Sequence, residues 1–257
     1  LGDQDLKSLG HNSPEYILRV SLAMKAAFAD RNRHLADDRF ADVPLEWMNS
    51  ADRAAHWREV IAAGEDIDVG RQQADSGTTH VSVVDEQGNC VSLTHSLGTS
   101  SGVITPGLGF MYNNSMVNFD PYPGNPNSIA PRKGRTTGMT PTIVLRDGRP
   151  VLVLGAPGAT RIITSVLQVI LNHLEFGMSI TDAVHVPRFD CQGDVIKCQR
   201  RIPESVCEQV RRSHDVVRIP RSHGGLALVH AVAIDPESGE LTGAADTGAD
   251  GMALLVP

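Results

Sequence analysis

Residues 77–102 read GTTHVSVVDEQGNCVSLTHSLGTSSG. Two alternating runs, 79–84 and 90–96, flank a polar stretch in which Gly88 suits a positive φ. A three-residue loop from Glu86 to Gly88 predicts a hairpin that sets Thr78 opposite Ser96 and Thr94 opposite His80. One face then carries Thr78, His80, Ser82, Ser92, Thr94 and Ser96. The other carries Val81, Val83, Val91 and Leu93, and is expected to be core.

Upstream of this hairpin the apolar period is helical. Ser13–Pro14 reads as an N-cap with proline in the first turn. The helix predicted over 14–35 places Ile17, Val20, Met24 and Phe28 on one stripe. A second helix is predicted to start after Ser50 and stop near Gly64, with Ala54, Trp57 and Ile61 inward. The stretch EDIDVGRQQADSG, 65–77, is polar without an apolar period and reads as an exposed linker. Downstream, strands are expected at 110–114, 141–146, 151–156, 226–234 and 241–246. Helices are expected at 160–175, 180–186 and 203–213. Residues 118–139, rich in Pro, Gly and Asn, read as an ordered loop or flap.

The chain has 257 residues and a formal net charge of −7, with no basic run, which disfavours nucleic-acid and anionic-membrane partners. No apolar segment is long enough to cross a membrane as a helix. The cysteines Cys90, Cys191, Cys198 and Cys207 form no C-x-x-C pair and read as idle or buried thiols. The opening LGDQDLKSLGHNS lacks the charged and apolar regions of a signal peptide, and a start on Leu1 suits a piece of a longer product.

Three hydroxyl chemistries compete in the opening stretch. GTSSG at 98–102 matches a nucleophile-elbow pattern around Ser100, but the following VITPGLGF cannot open the helix that the elbow needs. A metal or triad site on histidines lacks ligand spacing, and His80 and His95 read as hydrogen-bonded strand residues. The third is Thr78. Cleavage of the Gly77–Thr78 bond would give Thr78 a free α-amine, which titrates near pH 7.7–8.0 and could serve as its base. Gly77 tolerates the backbone distortion that attack on its carbonyl requires. Serine and threonine are also ordinary strand residues on a polar face, so pattern alone leaves this open.

These residues resemble the γ-glutamyltransferase (γ-glutamyl transpeptidase) family of N-terminal-nucleophile hydrolases. The resemblance is carried by TTHVSVVDEQGNCVSLT from Thr78, NNSMVNF at 113–119, and GMTPTIVLRDGRPVLVLGAPGATRIITSVLQVILN at 138–172. VPRFDCQ at 186–192, GELTGAADTGADGMA near the end and, more weakly, ADRNRHLADDRF at 29–40 extend it. It implies an α+β fold, a four-layer αββα sandwich of which this chain is the C-terminal half. Residues 1–77 would be the end of the large subunit with its linker, and 78–257 the small catalytic subunit. The remainder of the large subunit, from an upstream region or a separate chain, would complete a heterodimer.

The resemblance implies autocatalytic cleavage between Gly77 and Thr78, Thr78 as nucleophile, Ser96 as its supporting hydroxyl, and Gly158 and Ala159 as the oxyanion hole. It assigns no cofactor and no metal. Thr137 and Gly138 match two serines that hold a substrate carboxylate. Arg161 is as well explained by an ion pair at a helix start as by substrate contact. Gly98, Ser115 and Asn118 fall on substrate-binding positions, where the family shows Asn or Glu, Gln or Glu, and Asp. Those losses point to an amide or related acyl compound other than a standard γ-glutamyl donor. A glutathione hydrolase or γ-glutamyltransferase with substitute contacts, and an unprocessed non-catalytic member, remain the alternatives.

Overall fold

The computed structural model describes residues 1–2, 4–70 and 77–256. The helices are α1 (Leu6–Leu9), α2 (Pro14–His34), α3 (Leu45–Met48), α4 (Ala51–Ala63), α5 (Arg161–Ile170), α6 (Ile180–His185) and α7 (Glu204–Val210). The strands are β1 (Thr78–Val84), β2 (Cys90–Ser96), β3 (Ser100–Ile104), β4 (Met111–Asn113), β5 (Thr142–Arg146), β6 (Arg149–Gly155), β7 (Phe189–Asp190), β8 (Val195–Gln199), β9 (Asp215–Ile219), β10 (His230–Ile234) and β11 (Leu241–Ala245). α5 runs on through one π-type turn, Leu171–Glu175, which closes the helix predicted to reach residue 175.

The centre is an antiparallel sheet in the order β11-β10-β6-β5. On one side lie α5 and α6, and Leu152, Leu154, Ile162, Val166, Val169, Ile180 and Val184 are buried in one core between them. On the other side lies the β1–β2 hairpin, packed across β6 and β10. The sequence therefore builds helix, sheet and hairpin layers in that order. A second unit joins α2 and α7 to the sheet β7-β8-β9, with Tyr16, Ile17, Val20, Met24, Phe189, Cys198 and Cys207 in its core. The β8–β9 pair is parallel, linked through α7. α2 thus packs directly on the part of the chain that follows Thr78.

Caps mark the helix starts as the sequence implies. The Ser13 hydroxyl accepts from Tyr16 N at 3.0 Å, with Pro14 in the first turn. Ser50 caps α4, and Gly64 ends it in the left-handed region at φ 68°.

Several expectations are corrected. The hairpin faces are reversed: Val81, Val83, Val91 and Leu93 are 46–53% exposed, while the hydroxyl face lies on the central sheet. Hydrogen bonding explains the reversal. Ser92 Oγ donates to Leu154 O at 2.9 Å and accepts from Thr142 N at 3.1 Å, and Ser82 Oγ donates to His230 O at 3.4 Å. The stretch 65–70 is not an exposed linker. Ile67 and Val69 are buried against Phe28 and Trp57, and Asn32 donates to Val69 O at 2.9 Å. The rest of that predicted linker, 71–76, lies outside the described residues. Ala54 is exposed; Arg53 instead turns inward to pair with Asp30 beside Trp57. Strand 226–234 shortens to β10 because Ala227 and Leu228 are taken up by contacts to Pro157 and Gly158. Helix 203–213 shortens to α7 because 211–213 form a turn into β9.

Candidate active site

The hairpin register is the predicted one: Thr78 pairs with Ser96, His80 with Thr94 and Ser82 with Ser92. Thr78 Oγ1 and Ser96 Oγ are 2.9 Å apart. Ser96 Oγ also accepts from Gly98 N at 2.9 Å, so one of its lone pairs is occupied and its proton is free to point at Thr78. Gly77 O accepts from Leu97 N at 3.3 Å, which fixes the carbonyl next to the Thr78 hydroxyl. Gly77 has φ 93°, and a Cβ there would lie 2.3 Å from Gly98 O. The residue before Thr78 must therefore be glycine on two counts, conformation and space.

Below Thr78, the buried His80 joins two hydroxyls. Its Nδ1 lies 2.8 Å from Thr94 Oγ1 and its Nε2 2.9 Å from Ser82 Oγ. Its ring fills the space above Gly155, where a Cβ would come within 2.3 Å of it. Burial, reinforced by nearby His230, lowers its pKa to about 4, so the ring is neutral at ordinary pH. The expectation of a hydrogen-bonded strand histidine holds for His80, whereas His95 points to solvent.

The loop after β6 is the second component. Gly158 has φ 146°, and a Cβ on it would sit 2.5 Å from both Cα and Cβ of Ala227. Ala159 occupies the left-handed region at φ 65°. Leu228 N donates to Pro157 O at 3.0 Å, and Arg161 reaches the carbonyls of Gly158 and Gly225, so Arg161 braces the loop. Among the described residues the amides of Gly158, Ala159 and Thr160 have no acceptor. They stand at the start of α5, where free N–H groups and the helix dipole favour negative charge. The hairpin steps toward this loop: Ser92 meets Leu154, His80 meets Gly155, and Thr78 lies two residues further along the same face.

The remaining predicted positions gather round these two components. Gly98 is buried at φ 68°. Asn114 N donates to Leu97 O at 2.8 Å, which brings the 3₁₀ turn Ser115–Asn118 against the end of β2. Ser115 is half-buried; Asn118 is buried, and its carbonyl accepts from Asn127 Nδ2 at 2.7 Å. Gly138 packs on the Gly158 loop, where a Cβ would be 2.8 Å from Ala159 O. Thr137 is exposed, with its hydroxyl accepting from Met139 N at 3.1 Å. Arg31, buried in α2, donates to Thr137 O at 3.2 Å. Arg31 lies in the ADRNRHLADDRF stretch, but nothing in its sequence neighbourhood points to this contact with Thr137. Ser100 begins the exposed strand β3 with no helix after it, which removes it as an elbow nucleophile. Cys191, Cys198 and Cys207 are buried free thiols. No cluster of three His, Cys, Asp or Glu side chains suited to a metal ion occurs among the described residues.

Residues 1–256 match the gamma-glutamyltranspeptidase family. The chain is 39% identical to the Acylase ACY 1 proenzyme of Pseudomonas sp. (strain V22), over 98% of its own length and 46% of that protein. It is 31% identical to the glutathione hydrolase proenzyme of Escherichia coli (strain K12), over 94% of itself and 45% of the relative. It therefore spans about half the length of the relatives it matches. Among solved structures it resembles the T380A mutant of Helicobacter pylori gamma-glutamyltranspeptidase, with TM-score 0.61 and 34% identity over 66% of this chain and all of that one. The fold of Bacillus halodurans cephalosporin acylase is shared at TM-score 0.82 and 23% identity, over 93% of this chain and 45% of that one. The chain has the C-terminal half of the αββα N-terminal-nucleophile hydrolase fold and belongs to the gamma-glutamyltranspeptidase family.

Proposed function

We propose that this chain is the catalytic half of an autoprocessed N-terminal-threonine acyl hydrolase or acyltransferase that acts on an amide or related acyl compound other than a standard γ-glutamyl donor. The observation that carries it is the 2.9 Å contact between Thr78 Oγ1 and Ser96 Oγ beside a glycine whose positive φ and crowded Cβ position would strain any other residue.

That geometry supports processing. Thr78 Oγ1 attacks the Gly77 carbonyl carbon, the hydroxyl proton ends on the Thr78 nitrogen as the peptide C–N bond breaks in favour of an ester, and water hydrolyses the ester. The products are a Gly77 carboxylate and a free Thr78 α-amine. That amine then takes the hydroxyl proton as Thr78 attacks the substrate carbonyl. Ser96 donates to Thr78 Oγ1, and the free amides of Gly158 and Ala159 receive the oxyanion. The α-ammonium returns the proton to the leaving amine as the C–N bond breaks. Water, or an acceptor amine, releases the acyl group from Thr78.

Substrate choice follows from the acyl-binding positions. A γ-glutamyl group carries an ammonium and a carboxylate, and both need strong partners once desolvated. Gly98 offers no side chain, Ser115 one short hydroxyl, and Asn118 no charge. Thr137 and Gly138 remain to meet a carboxylate. A dicarboxylic monoamide without an α-ammonium, such as a glutaryl amide, fits better, and the similarity to an acylase agrees with that. Domain roles follow as well: 1–77 ends the large subunit, 78–257 is the small one, and the exposed Val81, Val83, Val91 and Leu93 await the rest of the large subunit.

The test is turnover by the full-length protein of γ-glutamyl, glutaryl and aromatic acyl p-nitroanilides. Preference for an acyl group without the ammonium is expected. A kcat/KM of about 10⁴ M⁻¹s⁻¹ or more on the γ-glutamyl compound, the low end of ordinary enzyme efficiency, would restore a γ-glutamyl specificity.

A further inference from the structure

Thr137 and Gly138 sit at the end of a 22-residue loop, 118–139, that contains no strand of the central sheets. A segment of that length and composition does not present a backbone in one place unless something holds it. Part of the hold is internal: Asn127 Nδ2 donates to Asn118 O, and Thr136 N donates to Asn127 Oδ1 at 3.2 Å. The rest comes from α2, where Arg31 donates to Thr137 O at 3.2 Å, and from the stretch just after it. Asp37 Oδ2 accepts from Gly134 N at 2.6 Å. Arg39 is paired with the same carboxylate and also donates to Arg132 O at 3.3 Å.

The loop backbone is shaped for this contact. Arg132 lies in the left-handed region at φ 63°, which turns the chain so that Gly134 N faces the carboxylate. A Cβ on Gly134 would lie 3.1 Å from Asp37 Oδ2, so a side chain there would push the acceptor away. The Asp37 side chain is 7% exposed although Asp38 and Arg39 beyond it are exposed. The Arg39 guanidinium, and then the Gly134 amide, hold this carboxyl well below the usual carboxylate range, so it is ionised throughout the working range of pH.

We infer that Asp37 is a positioning residue for the acyl site: a charged acceptor that clamps the loop at Gly134 and thereby sets where Thr137–Gly138 meets the substrate carboxylate. The inference rests on the acyl-transfer reading above. It adds that the clamp reaches across the processing point. Asp37 precedes Thr78 and Gly134 follows it, so after cleavage the contact joins two separate polypeptides without a covalent link.

The experiment uses the full-length protein and its D37A and D37N variants, with whichever of the glutaryl and γ-glutamyl p-nitroanilides the wild type turns over. Four quantities are read: cleavage before Thr78, the KM and the kcat of turnover, and the inhibition constant of the free acid, glutarate or glutamate. D37A is expected to be cleaved as the wild type is and to keep kcat within about threefold. Its KM and the inhibition constant of the free acid should rise together, roughly tenfold or more, the scale of losing a hydrogen bond to a charged group. D37N keeps an oxygen facing Gly134 N and should fall between the two. Unchanged KM and inhibition constant in D37A overturn the inference. A loss of kcat with both constants unchanged also overturns it, since that marks a structural role only. If D37A does not accumulate as folded protein, D37N decides by the same two constants. A wild type that is neither cleaved nor active refutes the acyl-transfer reading itself, and the inference falls with it by a result separate from the others.

Discussion

The carbonyl oxygen of Gly98 occupies the place that a side chain on Gly77 would need, 2.3 Å from where its Cβ would be. Gly77→Ala in the precursor therefore has to move Gly98 and also hold alanine at φ 93°. Strain of about 1–3 kcal/mol in the positioned bond is expected to slow self-cleavage by roughly tenfold or more. The fraction of cleaved chain against time, followed by intact mass, measures it. Cleavage at the wild-type rate would show that the glycine is not needed.

In the proposed reaction Ser96 supports the nucleophile through one hydroxyl. Ser96→Ala leaves both Thr78 Oγ1 and Gly98 N without their partner. A fall in kcat of roughly tenfold to a hundredfold is expected, with KM little changed, because the lost bond acts on the reacting oxygen. Ser96→Thr should retain most of the activity. Steady-state kinetics on the processed protein separate these outcomes.

The hairpin shows how far the sequence could be read. Its turn and alternation give the Thr78–Ser96 pairing residue by residue, because period 2 and loop length fix register. They do not say which face packs. Burial of Val81 and Val83 was the natural expectation, yet the hydroxyls lie inward, where they bond the backbone of β5, β6 and β10. β7, β8 and β9 escaped notice because β7 has two residues and the other two flank a helix without clear alternation. Ile67 and Val69 are two apolar residues in a polar run, too few to form a period. Around Thr78, the small residues that match the family can be named from the sequence as candidates. Arg31 and Asp37 lie in the ADRNRHLADDRF stretch, but the sequence does not show their contacts with a loop about a hundred residues away.

Gly158 offers a test of the second component. In Gly158→Ala the new methyl meets Ala227 at 2.5 Å, and that segment is held by the Leu228–Pro157 hydrogen bond. Overpacking should cost about 1–3 kcal/mol of stability, read as a lower urea midpoint at unchanged slope. Because the loop shifts, kcat should fall by roughly a hundredfold or more. Unchanged kcat in a destabilised variant would remove this loop from the oxyanion site.

His80 makes stability depend on pH. Its pKa in the folded protein, about 4, lies below the ordinary value of 6.5. Between these values the unfolded chain binds more protons, so stability rises with pH through the window and the full contribution is present above about 6.5. Acidification from 6.5 to 4 should weaken the fold progressively. His80→Gln should differ from wild type by a constant amount above pH 6.5 and by a shrinking amount below it. Denaturant titrations at a series of pH values check this, and a difference that stays constant down to pH 4 would contradict it.

The central claim is that Thr78 becomes the N-terminal nucleophile. The most direct measurement is the N-terminus of the purified active protein, determined by mass spectrometry for the wild type and for Thr78→Ala. The wild type is expected to yield a chain beginning at Thr78, and Thr78→Ala to remain joined through Gly77 and to be inactive. An active wild type with the Gly77–Thr78 bond intact, or a Thr78→Ala variant that is cut there and turns over substrate, would contradict the account.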